Sequence, residues 1–385
     1  MKIERILKII SILAVFLSVF SAAIILYFIL KYGVDVPYMD QWNYAEFFVH
    51  YKNGTLTFEE LWRLQNEYRQ FFPNVIFLGL GLLTRWNVRY EMIVIFLLAC
   101  VTAFNIFRLS LITVKVNKHL RWILFFAACL FIFSPWQYEN WLFGVQIEYL
   151  LPAACITTSM LILFTKIRAA WKLAFCMILA VFSTFSSING FTCWIVLFPV
   201  LLLTGRDYKY FRKWQIVLAW FAGIVHNLFL YFNGYQSPAS YPNTFEVIEH
   251  PVNALRYFFA ILGNPVRIVH SLNHIIVVGG VLFSFFVLLL LYILRFYKDK
   301  RLTHDSIVWI MLGAYSVITA TMITVGRLGF GLYQSLTSRY TSFTLFLALS
   351  ILFLSAIIVS HLSGRLRYPL ALKIIASILL TYVVY

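Results

Sequence analysis

The chain has 385 residues, of which 62% are hydrophobic and only 12% charged, with a formal net charge of +16. So few charges cannot cover the surface of a soluble protein of this length, which excludes a water-soluble globule. A nucleic-acid footprint is excluded too, because no single loop is long or basic enough to track a phosphate backbone.

Apolar runs of roughly 17–25 residues recur along the chain, and each is long enough to cross a bilayer as a helix. Segments of about ten alternating residues, the mark of a membrane β-barrel, are not visible. The expectation is an all-α polytopic membrane protein with about eleven transmembrane helices. The expected spans are 8–31, 90–114, 120–135, 149–165, 173–188, 191–204, 215–232, 275–294, 306–325, 340–361 and 370–385. Two of them, 120–135 and 191–204, are short and would tilt little. No repeat or soluble domain interrupts the pattern, so 1–385 reads as a single transmembrane domain. The first span is too long for a cleaved signal and reads as an uncleaved anchor. Cys100, Cys129, Cys155, Cys176 and Cys193 all fall within expected spans, which points to packing rather than disulfides or metal.

Orientation follows from Lys and Arg in the short loops. With the N-terminus in the cytoplasm, the inner side holds 21 of the 31 Lys and Arg but only four of the 15 acids: Glu4, Asp207, Asp299 and Asp305. The basic balance is therefore a topology signal, and the remaining acids collect on the outer side.

The first outer loop, 32–89, is the longest. A helical pattern begins at Asp40, with Trp42, Ala45, Phe48 and Val49 on one face, and Asn53-Gly54 is a good stop. Thr57 and Glu60 fit a capping box for a second surface helix. Leu61, Leu64, Tyr68, Phe71 and Phe72 would form its apolar stripe, and Glu60, Arg63 and Glu67 its polar side. The apolar run 71–84 is too short to cross comfortably, and crossing would place the later basic loops outside; it reads as a re-entrant or interfacial segment. Helix capping is the ordinary role of an Asp such as Asp40. Its functional reading rests on position: Asp35 and Asp40 lie just beyond the outer end of the first span, and Tyr38, Trp42 and Tyr44 surround Asp40. Aromatic faces stack on a sugar, and a carboxylate binds or deprotonates its hydroxyl.

In the second outer loop, 134–152, Trp136, Tyr138 and Trp141 alternate with Gln137, Glu139 and Asn140. These rings suit an interface belt or a sugar platform. Glu139, a carboxylate at the membrane rim, calls for a cation or substrate partner. Ser187-Ile-Asn-Gly190 is a tight turn whose Asn189 is a further candidate for a sugar hydroxyl. The late outer loop, 233–274, carries Arg256, Arg267, His270 and His274 and has the makings of a substrate lid. Two histidines without a third ligand do not make a metal site. In the last outer loop, 326–340, Arg327 and Arg339 run against the charge bias. A guanidinium matches phosphate oxygens bidentately, so both are candidates for phosphate binding, together with Arg69.

The stretches Pro37-Tyr-Met-Asp-Gln-Trp42, Asn66-Glu-Tyr-Arg69, Ser134-Pro-Trp-Gln-Tyr-Glu-Asn-Trp141, Ser187-Ile-Asn-Gly190 and Ser338-Arg-Tyr340 are spread over most of the chain. With the span count and the early-loop acid, they resemble the GT-C superfamily of polyprenyl-phosphate-dependent membrane glycosyltransferases, in an uncharacterised bacterial branch. That resemblance implies an inverting transfer of a sugar from a polyprenyl-phosphate donor to a glycan, lipid or protein acceptor on the outer face of a bacterial inner membrane. It implies Asp40 as general base, with Asp35, Glu67 or Glu139 as a possible second acid. Phosphate would fall to Arg327, Arg339 or Arg69, and the sugar to Tyr38, Trp42, Trp141 and Asn189. The adjacent acidic pair of many members is missing, since Gln41 follows Asp40, which argues against a carboxylate-pair metal site; a divalent metal stays open, and no other cofactor is expected. Two rivals stand beside this reading. An outer-face polysaccharide polymerase or ligase would use Arg256, Arg267 and His270. A lipid or sugar flippase or transporter would need charges buried mid-span, and the expected spans are nearly free of them.

Overall fold

The computed structural model describes residues 2–66, 68–204, 213–236, 241–267 and 271–365. The protein is an all-α membrane protein. After α1 (Lys2–Tyr32) the chain forms a 3-10 turn (Met39–Tyr44), α2 (Ala45–Asn53), α3 (Phe58–Trp62), a minimal hairpin of β1 (Leu64–Gln65) and β2 (Tyr68–Arg69), and α4 (Phe71–Thr84). There follow α5 (Arg89–Thr113), α6 (Lys118–Ile132), α7 (Tyr138–Leu142), α8 (Ile147–Leu163), α9 (Ala169–Thr184), α10 (Thr192–Thr204) and α11 (Lys213–Phe232). The chain then runs through α12 (Glu246–Glu249), α13 (Pro251–Gly263), α14 (Leu272–Arg295), α15 (Lys300–Arg327) and α16 (Thr341–Arg365).

Among the described residues, eight helical segments are long and apolar enough to cross a bilayer: α1, α5, the α6–α7 stretch, α8, α11, α14, α15 and α16. The expected spans 173–188 and 191–204 coincide with α9 and α10, which are apolar but shorter. The expected span 370–385 lies outside the described residues.

The bundle is organised around α16. Its hydrophobic stretch carries no charge from Thr341 to Ser360, and a helix apolar all round belongs in the interior. Every residue of its best spanning window is buried. It packs on α15, α14, α6, α13 and α8, and Phe353 stacks on Trp309 of α15 at 4.0 Å. By contrast α1 and α14 lie at the edge, exposing rows such as Ile9, Phe16, Phe20 and Leu288, Leu291, Leu294 to the lipid. Between α13 and α14 the backbones touch: a Cβ on Gly279 would lie 1.8 Å from the Phe259 carbonyl oxygen, and one on Gly263 2.2 Å from that of Ile275. Small residues allow this close approach where apolar burial alone gives helices no reason to associate.

The first loop departs from its expected form in its second half. Asn53-Gly54 ends α2 as expected, with Gly54 left-handed at φ 67°. The capping box also forms: the Glu60 amide donates to Thr57 Oγ1 at 3.3 Å, and the Thr57 amide to Glu60 Oε2 at 3.2 Å. The helix it starts then stops at Trp62. Leu64 and Tyr68 belong to the hairpin, not to one apolar stripe. Asn66 takes φ 53°, a left-handed conformation that asparagine tolerates in tight turns. The break turns Tyr68 and Gln70 inward, whereas a continuous helix would have laid them along the surface.

The run 71–84 does not separate the two ends of its loop. Arg89 Nε at the start of α5 donates to the Gly33 carbonyl at the end of α1, at 3.0 Å. The loop therefore leaves and rejoins the bundle at one end, whereas a single crossing would put those residues a bilayer apart. α4 lies among the loop's own helices, with Phe77 stacked on Tyr44 at 4.3 Å and Gly81 against Phe48.

Candidate functional site

Four loops far apart in sequence meet at one end of the bundle. They enclose a cavity of about 160 Å³ lined by Asp40, Asn43, Tyr44, Gln65, Asn66, Tyr68, Gln70, Gln146, Glu148, Tyr149, Tyr241, Arg327 and Arg339, with Phe143 and Val145. The lining combines two carboxylates, two guanidinium groups, five carboxamides and four phenols. Of the candidate site residues, Asp40, Arg327 and Arg339 are brought together here.

Asp40 is exposed at the rim, in the second position of the Met39–Tyr44 turn. It is not the cap, since Tyr38 holds that position. Gln41 anchors the turn: its Oε1 accepts the Tyr38 amide at 3.0 Å, and its Nε2 donates to the buried Glu91 carboxylate at 2.5 Å. Gly144 packs on this pair, and a Cβ there would sit 2.0 Å from Glu91 Oε2. Among the described residues the Asp40 carboxylate has no hydrogen-bond or ion-pair partner. The residue before it, Met39, takes φ 45°. All four non-glycine residues with positive φ among the described residues (Met39, Asn66, Arg85 and Trp86) belong to this loop. Such conformations cost free energy and collect at functional sites.

Behind Asp40 runs a buried polar chain. The Tyr44 hydroxyl donates to Gln70 Oε1 at 3.4 Å, and Gln70 Nε2 donates to Glu148. Glu148 is only 4% exposed, at the start of α8. Burial, and then the charges of Glu148, Glu91 and Asp40, push the Tyr44 phenol well above the ordinary tyrosine range, so it stays a hydrogen-bond donor.

The two arginines belong to the same lining. Arg327, at the end of α15, donates to the Tyr68 hydroxyl at 3.0 Å and lies over the Tyr241 ring at 4.8 Å. Arg339 sits on the turn that leads into α16. Its backbone is tied down on both sides: the amide donates to Glu139 Oε2 at 3.1 Å, and the carbonyl accepts from Asn140 Nδ2 at 3.3 Å. Its Nε is sealed from solvent without a hydrogen-bond partner.

The other expected site residues lie elsewhere. Asp35 accepts the Val88 amide at 2.9 Å, which ties it to the residue just before α5. Glu139 holds the Arg339 backbone and lies outside the lining. Glu67 and His270 lie outside the described residues. Arg69, expected at a phosphate, is 6% exposed. It donates to the carbonyls of Tyr231 at 2.7 Å, Trp62 at 3.1 Å and Asn233. Two of these bonds fasten the first loop to the end of α11, and the third, to Trp62, closes the loop on itself. Substituting Arg69→Leu should lower thermal stability by about 3 kcal/mol, because those buried carbonyls lose a charged donor; an unchanged melting temperature in detergent would refute the clamp.

Trp141, expected at a sugar face, is fully buried and donates from Nε1 to the Ser134 carbonyl at 2.9 Å. Asn189 is 4% exposed in the turn before α10 and is not part of the lining. Both are corrected to packing roles, since neither surface is open to a ligand. Tyr38 and Trp42 are exposed but rest edge-on against Phe143 at 5.5 Å and Trp86 at 5.9 Å, beside the lining. In the late loop, Arg256 is an exposed partner of Asn273 at 3.3 Å. Arg267 stacks over Trp136 at 4.6 Å and donates to the Leu336 carbonyl at 3.3 Å. Neither reaches the cavity.

Sequence reasoning did not assign Tyr68, Gln70, Gln146, Glu148 or Tyr241 to the site. Glu148 carried a usable signal, as an acid just inside an apolar span. The rest carried none, because amides and phenols are common in every loop. Among the described residues, three potential metal donors come within reach of one another at the mostly exposed Glu246, Glu249 and His250, which do not line the cavity. The opposite end of the bundle has a separate cleft of about 320 Å³, where His361 bridges Asp299 at 3.1 Å and Tyr292 at 2.9 Å. No family model, curated protein or solved structure matches this chain.

Proposed function

We propose that the chain is an inverting membrane glycosyltransferase. It takes a sugar from a polyprenyl-phosphate donor and passes it to an acceptor hydroxyl at the cavity face of the bundle. The observation that carries this reading is the lining itself: an unpartnered carboxylate at the rim shares one cavity with two arginines and a set of amides and phenols. Guanidinium groups suit a phosphate, and dense neutral donors and acceptors suit sugar hydroxyls. A volume of about 160 Å³ is smaller than the roughly 300–1,000 Å³ of drug-sized pockets, and suits one sugar ring.

In the proposed reaction, Asp40 accepts the proton of the acceptor hydroxyl. The oxygen attacks the anomeric carbon, and the bond from that carbon to the phosphate oxygen breaks. The electron pair leaves with the phosphate, and Arg327 and Arg339 stabilise the growing charge. The charge asymmetry of the loops supports an outward-facing cavity and a cytoplasmic N-terminus, and the family resemblance supports a bacterial inner membrane. The contacts of α9 support a further crossing: Phe185, just after it, stacks at 6.2 Å on Tyr231 at the end of α11, one of the eight. With α10 and the 370–385 run, α9 brings the expected count to about eleven.

The test is transfer of radiolabelled sugar from a panel of polyprenyl-phosphate donors in membranes containing the protein. Wild type should transfer from at least one donor. Arg256→Ala should keep that activity within about twofold, because its partner is an exposed surface amide. Loss of activity in Arg256→Ala would favour a polymerase built on the late loop, and no transfer from any donor would overturn the proposal.

A further inference from the structure

Gln146 and Gln65 both line the cavity with a buried side-chain polar atom that has no hydrogen-bond partner, and Gln146 is the more deeply buried of the two amides. It is 1% exposed, lies just before α8 and lines the cavity. Its Oε1 is buried without a hydrogen-bond partner, and no protein group pairs with its Nε2 among the described residues. The neighbouring polar groups are used: Gln70 bridges Tyr44 and Glu148, and Tyr68 holds Arg327. Gln41, one layer back, is fully engaged by Tyr38 and Glu91. A buried amide left unsatisfied is destabilising, so its place in the wall calls for a partner that the protein does not supply.

We propose that Gln146 is the specificity-determining residue of the cavity, its carboxamide reserved for a ring hydroxyl of the bound sugar. This rests on the sugar-transfer reading above. A primary amide offers a donor and an acceptor on one plane, and a secondary hydroxyl answers either. Arginine and carboxylate take the charged parts of the donor, while a neutral amide adds discrimination without altering the charge of the site. A cavity that holds a hydroxyl in this way rejects the deoxy analogue, because the amide is stranded again when the hydroxyl is missing.

Binding can be measured without turnover, using purified protein in lipid nanodiscs and a panel of monosaccharide 1-phosphates with their singly deoxygenated derivatives. For the best-bound sugar, one deoxygenation should weaken binding by roughly tenfold or more. In Gln146→Met that particular penalty should vanish, while smaller penalties at other positions persist. If the penalty survives in Gln146→Met, the assignment is wrong although the site still binds sugar. If no single deoxygenation costs wild type more than about twofold, it is wrong without recourse to any variant. If no sugar phosphate binds wild type at all, the sugar-transfer reading falls and takes this inference with it. A melting curve for Gln146→Met separates lost recognition from lost folding.

Discussion

Asp40→Asn should reduce transfer by about 10²- to 10⁴-fold, the range expected when a general base is removed from a positioned acceptor. The substitution changes almost nothing else. The side chain is exposed and has no partner among the described residues, so an amide of the same shape disturbs no packing. The turn that holds it is fixed by Gln41 and Glu91, which the substitution leaves alone. Melting temperature and membrane abundance should match wild type, and donor binding should be retained, because phosphate and sugar are held by other groups. The decisive measurement is therefore kcat against donor KM. A fall in kcat at constant KM marks a group that acts in the transition state. Retention of more than about a tenth of wild-type kcat would exclude Asp40 as the base. The buried Glu148 would then be the next acid to test, since it is the other carboxylate of the lining.

The parts of this architecture that rest on long apolar runs were legible in the sequence, because a span must be apolar over a length the bilayer sets. The helices α1, α5, α14, α15 and α16 are of this kind. The capping box at Thr57 and the stop at Gly54 were legible because a cap depends only on adjacent residues. The second half of the first loop was not. Its apolar spacing from Leu61 to Phe72 fits a helix, yet the chain breaks at Trp62 because Arg69 is drawn to carbonyls on α11. That partner lies about 160 residues away, and no local pattern encodes it. The site shows the same division. Asp40, Arg327 and Arg339 were recognisable as charges in unusual places. Trp141 and Asn189 look alike in sequence whether they face a ligand or a core, and only tertiary packing decides. Gln146 and Gln70 were silent because an amide in a loop is ordinary until its neighbours are known.

Arg339→Lys should cost about 10²- to 10³-fold in kcat, although it keeps the charge. Arg339 is the better probe of the two arginines because of where it is mounted. It occupies the turn into α16, the most deeply buried helix of the bundle, and its backbone is fixed by Glu139 and Asn140 through main-chain atoms that the substitution does not touch. The side chain can thus be changed while its platform stays in place, and a rigid platform is what lets a donor meet a charge that appears only in the transition state. Lysine offers a compact ammonium in place of a planar fork, so it cannot span two phosphate oxygens at once. Arg327→Lys should cost less than Arg339→Lys, because Tyr68 and Tyr241 also surround that end of the cavity. Product inhibition isolates the phosphate contact from the chemistry. Free polyprenyl phosphate should inhibit Arg339→Lys roughly tenfold more weakly than wild type, since a bidentate charge-assisted contact is lost. Equal inhibition of the two proteins would place the phosphate elsewhere and leave Arg339 as a packing residue of the α16 turn.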